Sequence, residues 1–294
     1  MSVLVVGGTG TVGREVVRGL VGAGETVSVL TRDPEKAAML PRGVAVRVGD
    51  LTDPYAIGPA FEGVEKVFLL VTVSNTETQQ GLTAVEWAKR SRVRKIVYMS
   101  VQGLHQAPHI PHFGAKIPIE EAVKRSGIDY TIVQPNNFFQ NDYWIKDALL
   151  TYGVYAHPIG NRGVSRVDVR DIADAAVRAL TSGMGRNQTC VAAGPEARTG
   201  DDSAAAYAAL LDRPVKYVGD DLGAWEQQAR QFFPGWMAFD FGIMYGWFIA
   251  NGFSATAEEV GEFETLVGHP LRRFDDFARE VAGQWMGAAQ PALK

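Results

Sequence analysis

The chain has 294 residues, is 46 % apolar, carries a formal net charge of −4 and contains a single cysteine, Cys190. That length suits one large domain or a domain with a smaller lobe, and the charge lacks the basic footprint of a direct nucleic-acid binder. One cysteine excludes an intramolecular disulfide and a cysteine metal cluster, and suits a reducing cytoplasm.

Strands and helices alternate from the start. A strand is expected at Val3–Val6, a helix at Val12–Ala23 and a second strand at Thr26–Leu30. Pro34 opens a short helix that ends near Pro41, Val44–Val48 is a third strand, and a short helix at Pro54–Phe61 follows Asp53. Lys66–Val73 is a nearly continuous apolar fourth strand, as in a sheet covered on both faces. A helix at Thr76–Arg90, a strand at Lys95–Met99, a helix through Ile119–Arg125 and a strand at Tyr130–Val133 continue the pattern. The reading is an α/β fold: a doubly wound parallel sheet of the Rossmann type with right-handed crossovers. After Gln134 the rhythm changes: helix Asn141–Leu150, an extended piece near Val154, helix Asp171–Ser182, a strand at Thr189–Ala192, another extended piece at Val215–Val218, and helices to the end. We therefore expect a Rossmann domain in 1–150, joined by the late strand at 189–192, and a smaller, mainly helical substrate lobe in 151–294, interleaved with it. The most apolar stretch, Phe232 to Phe248, contains Pro234 and Asp240 and is shorter than the ~20 residues of a spanning helix. It is expected to wall a lobe or pocket and not to enter a membrane. The N-terminus enters a core strand without a basic leader, so no signal peptide is expected.

The first turn carries the strongest motif. Gly8-x-Gly10-x-x-Gly13 overlaps Gly7-x-x-Gly10-x-x-Gly13 between a strand and a helix. Gly7 or Gly8 makes the turn, Gly10 lets backbone approach phosphates, and Gly13 lets the helix lie close on the strand. The helix N-terminus offers unpaired N–H groups and a positive dipole end to a pyrophosphate. Thr9, Thr11 and Val12 share this turn. The second strand ends in Thr31-Arg32 with no carboxylate at its tip, and Lys36 is one turn on. A guanidinium there can fork onto a 2′-phosphate, so the expected cofactor is NADP(H) and not NAD(H). Asp33 is expected to cap the following turn. Asp50-Leu51 stands where an adenine edge would lie, Asp50 being either an acceptor for the adenine amine or a plain turn residue. Val71-Thr72-Val73 would pass the nicotinamide ribose.

Candidate chemistry lies at Ser100 and in the segment His112 to Glu120. Ser100 either bonds a substrate carbonyl or satisfies backbone. His112 and Lys116 are four apart, and the helix is expected to begin near Lys116 because Pro118 is tolerated only in a first turn. Asn137 and Phe138 follow the sixth strand and are candidates for nicotinamide or substrate contact. Tyr143, Trp144, Trp236, Phe239, Tyr245 and Trp247 either wall a pocket for a planar ligand or form lobe core. His105, His109, His157 and His269 show no metal-ligand spacing, so no metal is expected. Hydrolase and Walker motifs do not occur.

Gly7-Gly8-Thr9-Gly10-Thr11-Val12-Gly13, Thr31-Arg32-Asp33-Pro34, Gly49-Asp50-Leu51, His112-Phe113-x-x-Lys116-x-x-Ile119-Glu120, 126–135 and Val167–Ala173 together resemble the NmrA-like family of atypical short-chain dehydrogenase/reductases. The resemblance weakens after about Val218. It implies an NADP(H)-binding Rossmann fold, in a family that holds quinone and aromatic reductases and also silent redox sensors. The broader superfamily uses a Tyr-x-x-x-Lys pair; here His112 stands in the tyrosine's place and Lys116 is retained. The resemblance implies that Lys116 binds the nicotinamide ribose, with His112 either a general acid or a packing residue. The expected function is an NAD(P)H-dependent oxidoreductase acting on a small apolar, aromatic or quinone-like acceptor. The alternatives are an NADP(H)-sensing regulator that binds a protein partner without turnover, and a dehydratase or epimerase on the same scaffold. A homo-oligomer is also compatible with the chain.

Overall fold

A computed structural model describes residues 2–289. Two compact units are present. The first comprises residues up to Pro135, Val169–Ala192 and Gly261–Pro270; the second comprises Asn136–Asp168, Ala193–Val260 and the chain from Leu271. The chain thus leaves its first unit at Pro135, ahead of the boundary read near residue 150, and returns to it twice.

The first unit is a seven-stranded, wholly parallel sheet. Its strands are β1 (Ser2–Val6), β2 (Thr26–Thr31), β3 (Ala45–Val48), β4 (Lys66–Leu69), β5 (Lys95–Met99), β6 (Asp129–Pro135) and, from later in the chain, β8 (Gln188–Ala192). The order is β3-β2-β1-β4-β5-β6-β8. This is the doubly wound order extended by one strand. Helices α1 (Thr11–Gly22) and α5 (Val169–Ser182) pack together against the sheet, and α2 (Glu77–Arg90) and α4 (Ile117–Arg125) pack together over β4, β5 and β6. The apolar strands need both coverings: Leu4, Val6, Leu69, Ile96, Tyr98 and Ile132 meet Ala84, Ile119 and Val123 in one core. A four-residue helix, α3 (Pro111–Gly114), precedes α4.

Two expected elements differ. The fourth strand stops at Leu69, so Val71-Thr72-Val73 lies beyond the ladder. Leu69 pairs with Val6, the last residue of β1, so beyond it β4 has lost its neighbour on that side, although β5 on the other side runs on to Met99. The helix expected at Asn141–Leu150 is a 3-10 turn at Phe139–Ile145 followed by a π-turn at Ala148–Tyr152. Here the Arg166 guanidinium takes the carbonyls of Phe138 and Phe139 and the carboxylate of Asp142. The Phe138 carbonyl also accepts from Asn141 N at 3.2 Å, an i to i+3 bond of the 3-10 kind.

The second unit pairs β7 (Val154–Tyr155) with β9 (Lys216–Tyr217) in parallel. Its helices are α6 (Gly200–Leu211), α7 (Leu222–Ala229), α8 (Gly235–Asn251) and α10 (Phe274–Ala289); α9 (Ala257–Val267) begins in it and ends in the first unit. A capping box between Thr199 and Asp202 starts α6. No helix among the described residues is long and apolar enough to cross a membrane.

The closest approach to backbone in the first unit is at Gly13, where an added Cβ would stand 2.1 Å from the Gly7 carbonyl oxygen. Gly13→Ala is therefore expected to cost about 1–3 kcal/mol through overpacking against rigid backbone. The urea midpoint measures this, and an unchanged midpoint contradicts the close approach.

Candidate functional site

The carboxyl edge of the sheet gathers most of the sequence-derived residues of the first unit. Gly7 makes the turn at φ +78°, and its carbonyl accepts from Gly10 N at 3.1 Å. Gly8 seats on Val29, where a Cβ would come within 2.8 Å. Gly10 is different: an added Cβ would meet only the Gly7 oxygen, at 3.4 Å. Gly10 also precedes α1 with no side-chain cap, and the first turn of α1 holds no acidic residue. Thr11 is exposed, whereas Val12 and Gly13 are buried. The turn is thus packed tightly from behind and open at Gly10, beside uncapped N–H groups, which fits a dinucleotide pyrophosphate.

Arg32 lies just past β2 with its side chain 74 % exposed, 4.0 Å from Asp50. Asp50 accepts from Thr52 N at 2.9 Å. That backbone bond, helped by the Arg32 charge, holds its carboxyl below the usual range. Leu51 is buried. Asp33 caps its turn through Glu35 N, and Lys36 leans on Asp33 at 4.0 Å. An exposed, weakly paired guanidinium at a strand tip that lacks a carboxylate fits a 2′-phosphate.

Lys116 sits between α3 and α4, and its Nζ is bound to Glu77 at the start of α2 in a buried ion pair. Thr78 secures the same segment by donating to the Ala115 carbonyl at 2.8 Å. Glu77 Oε2 is buried without a partner. Near it, the Tyr98 and Ser100 hydroxyls at the end of β5 are buried and lie close enough to influence each other, but without the geometry of a good hydrogen bond. Burial, then the Glu77 and Glu120 carboxylates, raise the Tyr98 phenol well above its ordinary range. Buried oxygens in this condition call for water or a ligand group. His112 is buried in α3, its ring edge-on to Phe113 at 4.9 Å. Thr72 is exposed beside buried Val71 and half-buried Val73.

In the second unit, Asn137 is nearly buried and bonded through its side-chain oxygen to Arg166 Nε and His157 Nε2. Arg166 is wholly enclosed and pairs with Asp142 at 2.8 Å, and Asp142 also takes the Tyr155 and Tyr207 hydroxyls. Phe138 is half-buried, and Tyr143, Trp144 and Phe239 are exposed, with Trp236 36 % exposed. These offer planar apolar surface. Tyr245 does not: it is 1 % exposed and packs on His157 and Trp225. Trp247 is half-buried against Phe253. Back in the first unit, the spacing rule placed no carboxylate near His269, yet folding sets it 3.0 Å from Asp174, with Asp171 close by.

Sequence reasoning missed Glu77, Tyr98, Asp142, His157 and Arg166. Glu77 follows a strand end, which is a usable signal. The others contact residues far along the chain and leave no local pattern.

The sequence profile of the NmrA-like family matches residues 1–252. The chain belongs to the NmrA-like family. Two curated relatives span nearly its whole length. An NAD(P)H azoreductase of Xenophilus azovorans is 35 % identical, over 98 % of this chain and 100 % of that protein. A (4-alkanoyl-5-oxo-2,5-dihydrofuran-3-yl)methyl phosphate reductase of Streptomyces griseus is 32 % identical, over 95 % and 98 %. Among solved structures, the NADPH-dependent quinone oxidoreductase of Escherichia coli complexed with NADPH superposes with a TM-score of 0.85 at 22 % identity, covering 95 % of this chain and 99 % of that one. That likeness establishes the shared fold.

One feature of this NmrA-like protein titrates. Burial, then the Arg166 charge, holds His157 well below the ordinary imidazole range, so the folded protein keeps it neutral. Unfolded, it takes up a proton as pH falls through about 6.5. The unfolded state then binds more protons, and stability declines below that pH by up to about 1.4 kcal/mol per pH unit. His157→Gln should flatten this limb in denaturant titrations between about pH 6.5 and 5. An identical slope contradicts neutral burial.

Proposed function

We propose that this protein is an NADPH-dependent reductase of small, planar, largely apolar acceptors such as quinones and azo compounds. The observation that carries the reading is the turn at Gly7–Gly13: closed by packing behind, open at Gly10, and set at an uncapped helix start. Gly7, Thr9, Gly10, Thr11, Val12 and Gly13 would hold the pyrophosphate. Arg32 and Lys36 would take the 2′-phosphate, and Asp50 and Leu51 the adenine edge. Val71, Thr72 and Val73 would line the ribose. When bound, NADPH supplies the hydride.

Lys116 is anchored by Glu77 through one donor, and an ammonium has three. The other two are proposed to bond the ribose hydroxyls. Ser100 offers an unengaged hydroxyl to a substrate oxygen, and His112 is proposed to hold the proton that completes the product. Phe138, Tyr143, Trp236, Phe239 and Trp247 are proposed to lie against the acceptor's planar face. The full-length likeness to an azoreductase and to a reductase of an unsaturated lactone supports this acceptor class.

Purified protein given NADPH and a panel of quinones and azo dyes should deplete reduced cofactor, followed at 340 nm as roughly linear initial rates. No consumption above background overturns the reading. Arg32→Ala should weaken NADPH about 10–100-fold and leave NADH nearly unchanged, since one charge-assisted contact is lost. Equal weakening of both removes the 2′-phosphate assignment. Lys116→Met should lower NADPH affinity or turnover by at least about tenfold, and unchanged kinetics remove its role.

A further inference from the structure

Asn137 lies two residues beyond β6, and its side-chain oxygen is gripped from two sides. Arg166 Nε stands 3.1 Å from Oδ1 and His157 Nε2 stands 3.2 Å from it. An arginine Nε–H only donates, so the amide end that faces it is the oxygen. Neutral His157 contributes its Nε2–H, which takes the second lone pair. The backbone of Asn137 is also engaged: its N–H donates to Asn136 Oδ1 at 2.7 Å, and its carbonyl accepts from Val167 N at 2.9 Å. What remains is Nδ2, which makes no hydrogen bond to a described residue. The grip itself is rigid. Arg166 is enclosed and tied to Asp142, Tyr155 and the Phe138 carbonyl. Asn136 donates to the Phe253 carbonyl at 2.7 Å. The result is a donor fixed in direction on a residue 9 % exposed, with no protein acceptor against it among the described residues, so that a ligand's acceptor atom can take it without any rearrangement of the grip.

We propose that Asn137 Nδ2 is the hydrogen-bond donor to the substrate, with Arg166 and His157 as its positioning residues. The substrate must then present an accepting atom there: a quinone or enone carbonyl oxygen, or an azo nitrogen. This deepens the reductase reading and rests on it. Asparagine fixed in this sense rejects ligands that offer only a donor at that point.

The test uses the full-length protein with 2-methyl-1,4-naphthoquinone as acceptor. Asn137→Asp keeps an oxygen toward Arg166 and His157 and replaces the donor with a second oxygen. It should lower kcat/KM for the quinone by about 100-fold, the loss typical of a deleted oxyanion donor, with NADPH affinity by fluorescence within about threefold. A parallel loss of NADPH affinity assigns the amide to the cofactor and overturns the proposal, as does an unchanged kcat/KM. His157→Gln, which still donates, should retain most activity, whereas His157→Leu should lose about tenfold, one neutral hydrogen bond's worth. Equal behaviour of the two variants overturns the positioning role. A measurement on the wild type needs no variant to fold: with NADP+ present, the quinone should move the Asn137 side-chain NH2 pair downfield in 15N-correlated spectra, and an unmoved pair overturns the proposal. Wild type that consumes no NADPH with any quinone overturns the reductase reading and this inference together. Wild type that consumes it while Asn137→Asp matches it overturns this inference alone.

Discussion

The contact between Gly7 and Gly13 is the constraint on which the first unit is built. Only a residue without Cβ lets α1 lie with its first turn against the turn that ends β1. That seating fixes where the helix N-terminus points, and it stops β1 at Val6. β4 is registered on β1, and its last pair with that strand is Leu69 with Val6. One close approach thus leaves Gly10 open at the helix start and ends the pairing of β1 with β4. The parallel sheet then brings the ends of β2 and β5 to the same edge, with Arg32 and Ser100 on them.

Each unit also encloses an ion pair of its own. Lys116 and Glu77 join the start of α4 to the start of α2, and Arg166 and Asp142 join the segment after β6 to the chain near α5. Removing one partner from such a pair strands a buried charge at about 3–5 kcal/mol, so neither pair is a casual stabiliser. Both hold a polar group in a defined direction. Lys116 is left with donors to spare, and Asn137 is left with one oriented amide nitrogen. Orientation of this kind is what a hydride acceptor requires, since positioning is the protein's share of cofactor chemistry.

The alternation of apolar strands and periodic helices made the Rossmann architecture legible, as did the spacing of the glycines. Arg32 in place of a carboxylate was legible too, because the residue at a strand tip is a local matter. The 139–152 region was not. Its apolar and polar residues follow a helical pattern, but the segment is anchored at Phe138, Phe139 and Asp142 by Arg166, distant in sequence, and begins as a 3-10 turn. Tyr245 and Trp236 looked equivalent in one aromatic stretch, yet α8 turns the first into core and the second toward the surface.

By itself, then, the sequence determined the fold class, the glycine turn between β1 and α1 and the absence of a carboxylate at the tip of β2, because each depends on residues within one strand–turn–helix unit. Tertiary structure decided the partner of Lys116, the direction of the Asn137 amide and the burial of Tyr245. Those follow from contacts such as Glu77 with Lys116 and Asn137 with Arg166, which span tens of residues. A hydrogen bond has no sequence period, so only the folded chain shows which donors and acceptors meet.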